Sequence, residues 1–187
     1  MKSMVAIASV SLFIFCSSAI AGSTLDRVNE RKETVVATNV GWPPQGFLDE
    51  NNVLVGFDID VANEIGKRLG ANVRFETPEW ATMTGGHWQG RFDLGVGSVA
   101  PTKARAEVID FAGIYYYSPY VYVVHAESSI QSEEDLDGKI IGVETGTASE
   151  DFINRRLEID APGLPAGPIQ SRTGRSAHVS GFNDALR

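Results

Sequence analysis

Apolar and polar positions along this chain follow two alternating rhythms. Thr34 to Thr38 (TVVAT) is a short, nearly unbroken apolar run, the pattern of a strand buried on both faces. From Gly56 to Gly70 the apolar residues Ile59, Ala62, Ile65 and Leu69 recur at intervals of three and four, which lines one face of a helix. Asp58 is placed to cap its start, Lys67 and Arg68 suit its last turn, and Gly70 can end it. Asn72 to Glu76 predicts a second strand, and a weaker helix begins near Trp80, interrupted by Gly85-Gly86. Asp93 to Gly97 (DLGVG) predicts a third strand. This alternation argues for parallel βαβ units, with helices on both faces of a sheet.

In such sheets ligands gather beyond the carboxyl ends of the strands. Those ends lead into Asn39 to Gly46, Thr77 to Trp80 and Ser98 to Arg105. Further on, Tyr120 to His125 (YVYVVH) has the pattern of an extended crossing segment, and Ser132 to Leu136 that of a short capped helical turn. Lys139 to Val143 predicts another strand, and Gly146-Thr147-Ala148 opens a helix running to about Leu157. From Ala161 onward prolines and glycines crowd together and little apolar surface is offered for burial. The last residues, Ser180 to Arg187, look like a cap and the first turn of a helix.

The N-terminus changes the picture of where the chain works. Lys2, the apolar run Val5 to Ile20 and the small residues Ala19-Ile20-Ala21 predict a signal peptide cleaved after Ala21. The run is too short and too rich in Ser and Ala for a membrane-spanning helix. The sole cysteine, Cys16, lies inside it, so the exported chain would carry no thiol and would draw its stability from its core. A formal charge of −8 without basic clusters argues against nucleic acid and against an anionic membrane surface. His87, His125 and His178 are scattered without ligand spacing, which gives no metal site, and no cofactor motif is present.

Three ordered stretches resemble one family. They are Gly56-Phe57-Asp58-Ile59-Asp60-Val61-Ala62; then Ser98 to Arg105 with Ile109-Asp110-Phe111 and Tyr115-Tyr116-Tyr117-Ser118-Pro119-Tyr120; and Leu136 to Val143 with Gly146-Thr147. Over Thr34 to about Leu157 the chain resembles the extracellular solute-binding proteins, family 3, receptors of polar amino-acid importers. The resemblance implies an α/β periplasmic-binding-protein fold, in which two lobes with central, mostly parallel sheets close on a solute. It divides the chain into a signal peptide (1–21), an N-terminal linker (22–33), a first lobe (34–119), a first crossing strand (120–126) and a partial second lobe with a Pro/Gly-rich tail (127–187). The second lobe is expected to be incomplete. The implied partners are a small polar amino acid and the permease subunits of an ABC transporter, and the implied form is a periplasmic monomer, not embedded in the membrane after cleavage.

The resemblance also nominates residues. Arg105 stands where the family grips the solute carboxylate, a task suited to the two parallel hydrogen bonds of a guanidinium. Ser98 and Ala100 precede it on the same loop, with Ala100 where a hydroxyl residue is common, and Thr102 offers either a hydroxyl contact or a helix cap. Trp42 and Trp80 match the aromatic walls of the site, while Trp88 reads as structural. Asn39 replaces a residue that is often acidic in receptors for cationic side chains, which weighs against lysine or arginine. Thr147 and Ala148 lie at a helix start, where amides can meet a carboxylate or simply close a well-capped turn. Asp58 and Asp60, although paired carboxylates, fall on the first turn of a helix and read as structural. Against a receptor stand two other readings. One is an enzyme on the same fold, a dehydratase of a cyclic carboxylic acid with Glu144 as its nameable acid or base. The other is a shortened chain that binds nothing.

Overall fold

A computed structural model of the chain describes residues 24–159, together with the backbone of two further strands, Gly167–Pro168 and Arg175–Val179. The expected signal peptide and the helix start at Ser180 lie outside the described residues. The elements are α1 (Thr24–Arg31), β1 (Glu33–Ala37), β2 (Phe47–Leu48), β3 (Leu54–Val55), α2 (Phe57–Leu69), β4 (Asn72–Glu76), α3 (Trp80–Thr84), β5 (Leu94–Gly95) and α4 (Lys103–Ala106). After a long irregular stretch come a 3-10 turn (Glu133–Leu136), β6 (Ile140–Glu144), α5 (Ala148–Ile153), β7 (Glu158–Ile159), β8 (Gly167–Pro168) and β9 (Arg175–Val179).

The first sheet is parallel, in the order β4-β1-β5, with Val36 opposite both Phe75 and Leu94. Because successive side chains of a strand point to opposite faces, β1 builds two cores at once. Val35 and Ala37 pack with Met83 of α3 and Phe92 on one side. Val36 packs with Ala62 of α2 and Val96 on the other, where Ile65, Val73 and Phe75 adjoin. This explains why TVVAT is apolar throughout, since a central strand covered on both faces has no position left for a solvated residue. Trp88 meets Phe92 edge-on at 5.9 Å and donates its indole N–H to the Met83 carbonyl at 2.9 Å, the structural role read from the sequence.

The helix α2 starts differently from expectation. Asp58 does not cap it; the N-cap is Gly56 at φ 129°. The amides of Phe57 and Asp58 instead donate to the carbonyls of Pro44 and Gln45, at 3.1 and 2.9 Å. A Cβ on Gly56 would lie 2.3 Å from the Gln45 carbonyl oxygen and 2.8 Å from that of Pro44. Only glycine lets the proline turn come close enough to satisfy the free amides of the first helical turn. The other end is as read: Gly70 is left-handed at φ 64° and donates to the Lys67 carbonyl, while Ala71 donates to Gly66.

The second sheet unit pairs β6 in parallel with β9, with Gly142 opposite Ala177, and sets α5 after β6. The Pro/Gly-rich tail therefore supplies two strands, β8 and β9, from a segment whose sequence offers little apolar surface for burial. The backbone pairing of β9 with β6 recruits a segment whose own sequence carries only the short run Ala177-His178-Val179. Residues 24–31, assigned to a linker, form α1, which buries Val28. Tyr120 to His125 runs without ladder pairing, since no described strand lies beside it. No helix among the described residues is long and apolar enough to cross a membrane.

Replacing Gly56 with alanine combines a strained φ with a backbone collision, and should cost about 2 kcal/mol or more of folding free energy. Urea denaturation of Gly56→Ala beside the parent measures it. A loss below a few tenths of a kcal/mol would show that the turn is free to withdraw.

Candidate functional site

The three parallel strands β1, β4 and β5 end on the same side of the first sheet, and their exits carry most of the nominated residues. Asn39 follows β1 and donates its side-chain amide to the Gly97 carbonyl at 3.4 Å, joining two of the strand exits. Trp80 opens α3 beyond β4. Ser98, Ala100 and Arg105 occupy the loop after β5 and the short helix α4, which Thr102 caps by accepting from the Arg105 amide at 3.3 Å. Of the two readings offered for Thr102, hydroxyl contact or helix cap, the structure shows the cap.

Arg105 is buried, with 9% of its surface exposed. A guanidinium carries five N–H donors, and two are used among the described residues. Nη1 donates to the Ala100 carbonyl at 3.0 Å on its own loop, and Nη2 donates to the Gly146 carbonyl at 3.2 Å, ahead of α5 in the second unit. The indole of Trp80 lies under the guanidinium at 5.2 Å and donates its N–H to the same Gly146 carbonyl at 3.1 Å. Gly146 therefore accepts from two side chains of the first lobe at once. Burial draws the Arg105 pKa down from its usual value, while Asp151 and Tyr120 nearby oppose the shift. The group remains cationic, because a guanidinium starts far above neutrality.

Other contacts cross the same junction. Tyr120 stacks on Phe152 of α5, with centroids 4.8 Å apart and planes 7° from parallel. Lys103 pairs with Glu158 at 2.9 Å, and Thr102 forms an antiparallel bridge with Ile159. The amide of Gly146 is taken by the Glu150 carboxylate at 2.8 Å. Thr147 caps α5, accepting from the Glu150 amide at 3.3 Å and donating to the Glu144 carbonyl at 2.7 Å. The Thr-x-x-Glu spacing of a capping box was visible in Thr147-Ala148-Ser149-Glu150. Ala148 is buried behind this cap.

Trp42 is 53% exposed, in a turn closed by its own backbone bonds with Gly46. The ring carried on Arg105 is that of Trp80. The Ser98 side chain is also committed within the protein. Its hydroxyl donates to Asp58 Oδ2 at 2.8 Å and accepts from the Tyr116 hydroxyl at 2.6 Å, while its amide donates to the Tyr115 hydroxyl at 2.8 Å. Tyr115 in turn donates to Asp58 Oδ1 at 2.8 Å. Burial, foremost, raises the Tyr115 phenol well above its ordinary range.

Sequence reasoning named Asp58 and quoted Tyr115, Tyr116, Tyr120 and Gly146, yet assigned none of them to the site. Their motif positions were the available signal. Glu144, the acid or base of the enzyme reading, has an exposed side chain at the end of β6. Among the described residues no cluster of His, Cys, Asp and Glu is arranged to hold a metal ion.

Comparison with known proteins adds ancestry to this geometry. The model of the bacterial extracellular solute-binding proteins, family 3, matches residues 34–187. The probable amino-acid ABC transporter-binding protein of Haemophilus influenzae is 33% identical over 67% of this chain and 49% of its own length. The arginine-binding extracellular protein of Bacillus subtilis is 25% identical, over 81% and 59% respectively, and the L-cystine-binding protein of Escherichia coli is 27% identical, over 72% and 51%. The chain thus spans about half the length of the curated relatives it matches. Among solved structures, holo ArgBP from T. maritima overlays with a TM-score of 0.63 at 26% identity, covering 86% of this chain and 66% of that one. An ancestral arginine-binding protein bound to arginine gives 0.60 at 30% identity, covering 83% and 64%. With a family match across most of its length, and a parallel sheet whose strand exits carry the matching motifs, this chain belongs to the bacterial extracellular solute-binding proteins, family 3.

Proposed function

We propose that the protein is a periplasmic receptor that holds a polar amino acid between two lobes and delivers it to the permease of an ABC importer. One observation carries this reading. The Arg105 guanidinium is buried where the lobes meet, with donors on carbonyls of both and three of its five N–H groups without a partner among the described residues. A free amino acid brings a carboxylate that matches such a fork with two parallel, charge-assisted bonds. The Trp80 ring beneath the guanidinium supplies a flat apolar floor that keeps water from competing.

Closure follows from the same arrangement. A solute favours the closed form only through contacts it makes better there than in the open form. The loop after β5 and the turn before α5 approach each other at Gly146, so a carboxylate bound to Arg105 lies within reach of both. The relatives support an amino acid as the solute class, since their names specify arginine, cystine or amino acids generally, and one neighbouring structure holds glutamine. Asn39, a neutral amide bonded to Gly97, brings no charge to select a cationic side chain, so the class is polar amino acids and not arginine in particular.

Delivery to a permease requires export. The signal peptide predicted from the sequence of residues 1–21 supports it, as do the extracellular and periplasmic relatives. The relatives named above are binding proteins, which favours capture over catalysis.

Titration calorimetry of the full chain against the standard amino acids and L-cystine tests the proposal. We expect at least one to bind, and Arg105→Ala to weaken it by about a hundredfold or more, the loss of two charge-assisted bonds. Retained affinity in Arg105→Ala would overturn the assignment. Trp80→Phe keeps a ring under the guanidinium but removes the bond to Gly146, and should lower stability in urea by about 1 kcal/mol; no change would mean that the indole bond does not join the lobes. N-terminal sequencing of the protein recovered from periplasm should begin at Gly22, and recovery of an uncleaved chain from cytoplasm would contradict export.

A further inference from the structure

We infer that Asp58 is a positioning residue for the solute-contact loop: acting through Ser98, its buried carboxylate sets how residues 98–105 leave β5, and hence where the Arg105 guanidinium stands. The inference rests on the receptor reading above and adds to it a residue that does not touch Arg105.

The two carboxylates of the Gly56–Ala62 motif have different surroundings. Asp60 is exposed on the first turn of α2, whereas Asp58 is only 1% exposed. Burying a carboxylate is costly unless it is fully hydrogen-bonded, and Asp58 makes no side-chain cap to the helix, whose first two amides are taken by carbonyls of the Pro44-Gln45 turn. What the carboxylate holds is the loop. Its Oδ2 accepts from the Ser98 hydroxyl and its Oδ1 from the Tyr115 hydroxyl, both at 2.8 Å. Tyr115 relays the constraint to the Ser98 backbone by accepting its amide. Ser98 is thus tied to Asp58 directly and through one phenol, with Tyr116 bonded to its hydroxyl as well.

Ser98 needs such ties because it is a non-glycine residue at φ 58°, a left-handed conformation that L side chains adopt only at an energetic cost. That turn directs the chain from β5 into the loop. Two residues later the Ala100 carbonyl accepts from both the Thr102 amide at 2.9 Å and Arg105 Nη1 at 3.0 Å. A continuous series of bonds therefore runs from Asp58 to Ser98, along two residues of backbone to Ala100, and on to the guanidinium. In Asp58→Asn one carboxylate oxygen becomes an amide donor facing a hydroxyl that has to donate, so one tie is lost while volume is kept.

Hydrogen exchange of the full chain, together with calorimetry using L-arginine and L-glutamine, separates positioning from general stability. In Asp58→Asn we expect exchange at residues 98–102 to rise about tenfold or more with β1 and β4 unchanged, and affinity for whichever of the two amino acids the parent binds to fall about tenfold. Asp58→Asn combined with Ser98→Ala should bind little worse than Asp58→Asn alone, as coupled residues do. Unchanged exchange in the loop, an equal rise throughout β1 and β4, or fully additive affinity losses would overturn the inference. If none of the standard amino acids or L-cystine binds the parent but the loop still loosens selectively, the receptor reading fails and the anchoring of the loop by Asp58 stands. Should Asp58→Asn not fold, Tyr115→Phe removes one branch of the same network, and is expected to give the same loop-limited rise in smaller measure; its absence would count against the inference.

Discussion

A guanidinium taken out of water must be given acceptors, and the manner in which Arg105 obtains them organises the rest of the molecule. One acceptor, the Ala100 carbonyl, comes from its own loop, and the other, the Gly146 carbonyl, comes from a turn 41 residues away in the other lobe. Satisfying the charge therefore brings the two units together. Trp80 shares the Gly146 carbonyl and covers the cation with its ring, so a single carbonyl oxygen fixes a cation, an indole and the approach to α5. Main-chain carbonyls suit this position better than carboxylates would. They accept from the guanidinium without neutralising it, and leave its charge available for the solute carboxylate proposed above.

Beneath this junction, the first lobe is built to hold its loops still. The central strand β1 buries side chains on both faces, so it cannot slip in register without exposing one core or the other. Its exit is bonded to that of β5 through Asn39 and Gly97. The Gly56 turn and the buried Asp58 tie α2 to the two loops on either side of it, one by backbone amides and one by a carboxylate. The loops at the strand exits are irregular in conformation but well supplied with bonds, which is what a site must have if its contacts are to be held ready.

Much of the architecture could be read from local pattern. The helix α2, its glycine terminus, the parallel strands and the cap at Thr147 follow from periodicity and from which residues satisfy free amides and carbonyls, both of which act over four residues or fewer. Where the reading departed from the structure, a distant partner intervened. Strand β9 exists because β6 offers it a parallel edge, and its own composition concealed it. Tyr120 to His125 has the side chains of a strand, yet a strand requires a neighbour to share its hydrogen bonds, and none is present among the described residues.

The site divides along the same line. The motif around Ser98 to Arg105 and the position of that loop beyond a parallel strand were set by sequence, because they depend on residue types at fixed short spacing and on a rule of sheet geometry. Tertiary structure alone decided that Trp80 and not Trp42 underlies the guanidinium, and that Asp58 is buried against Ser98 while Asp60 faces water. These outcomes turn on solvation and on distances between groups 25 and 40 residues apart in the chain. Such distances are set only when the whole sheet and its covering helices have packed, and no local pattern carries them.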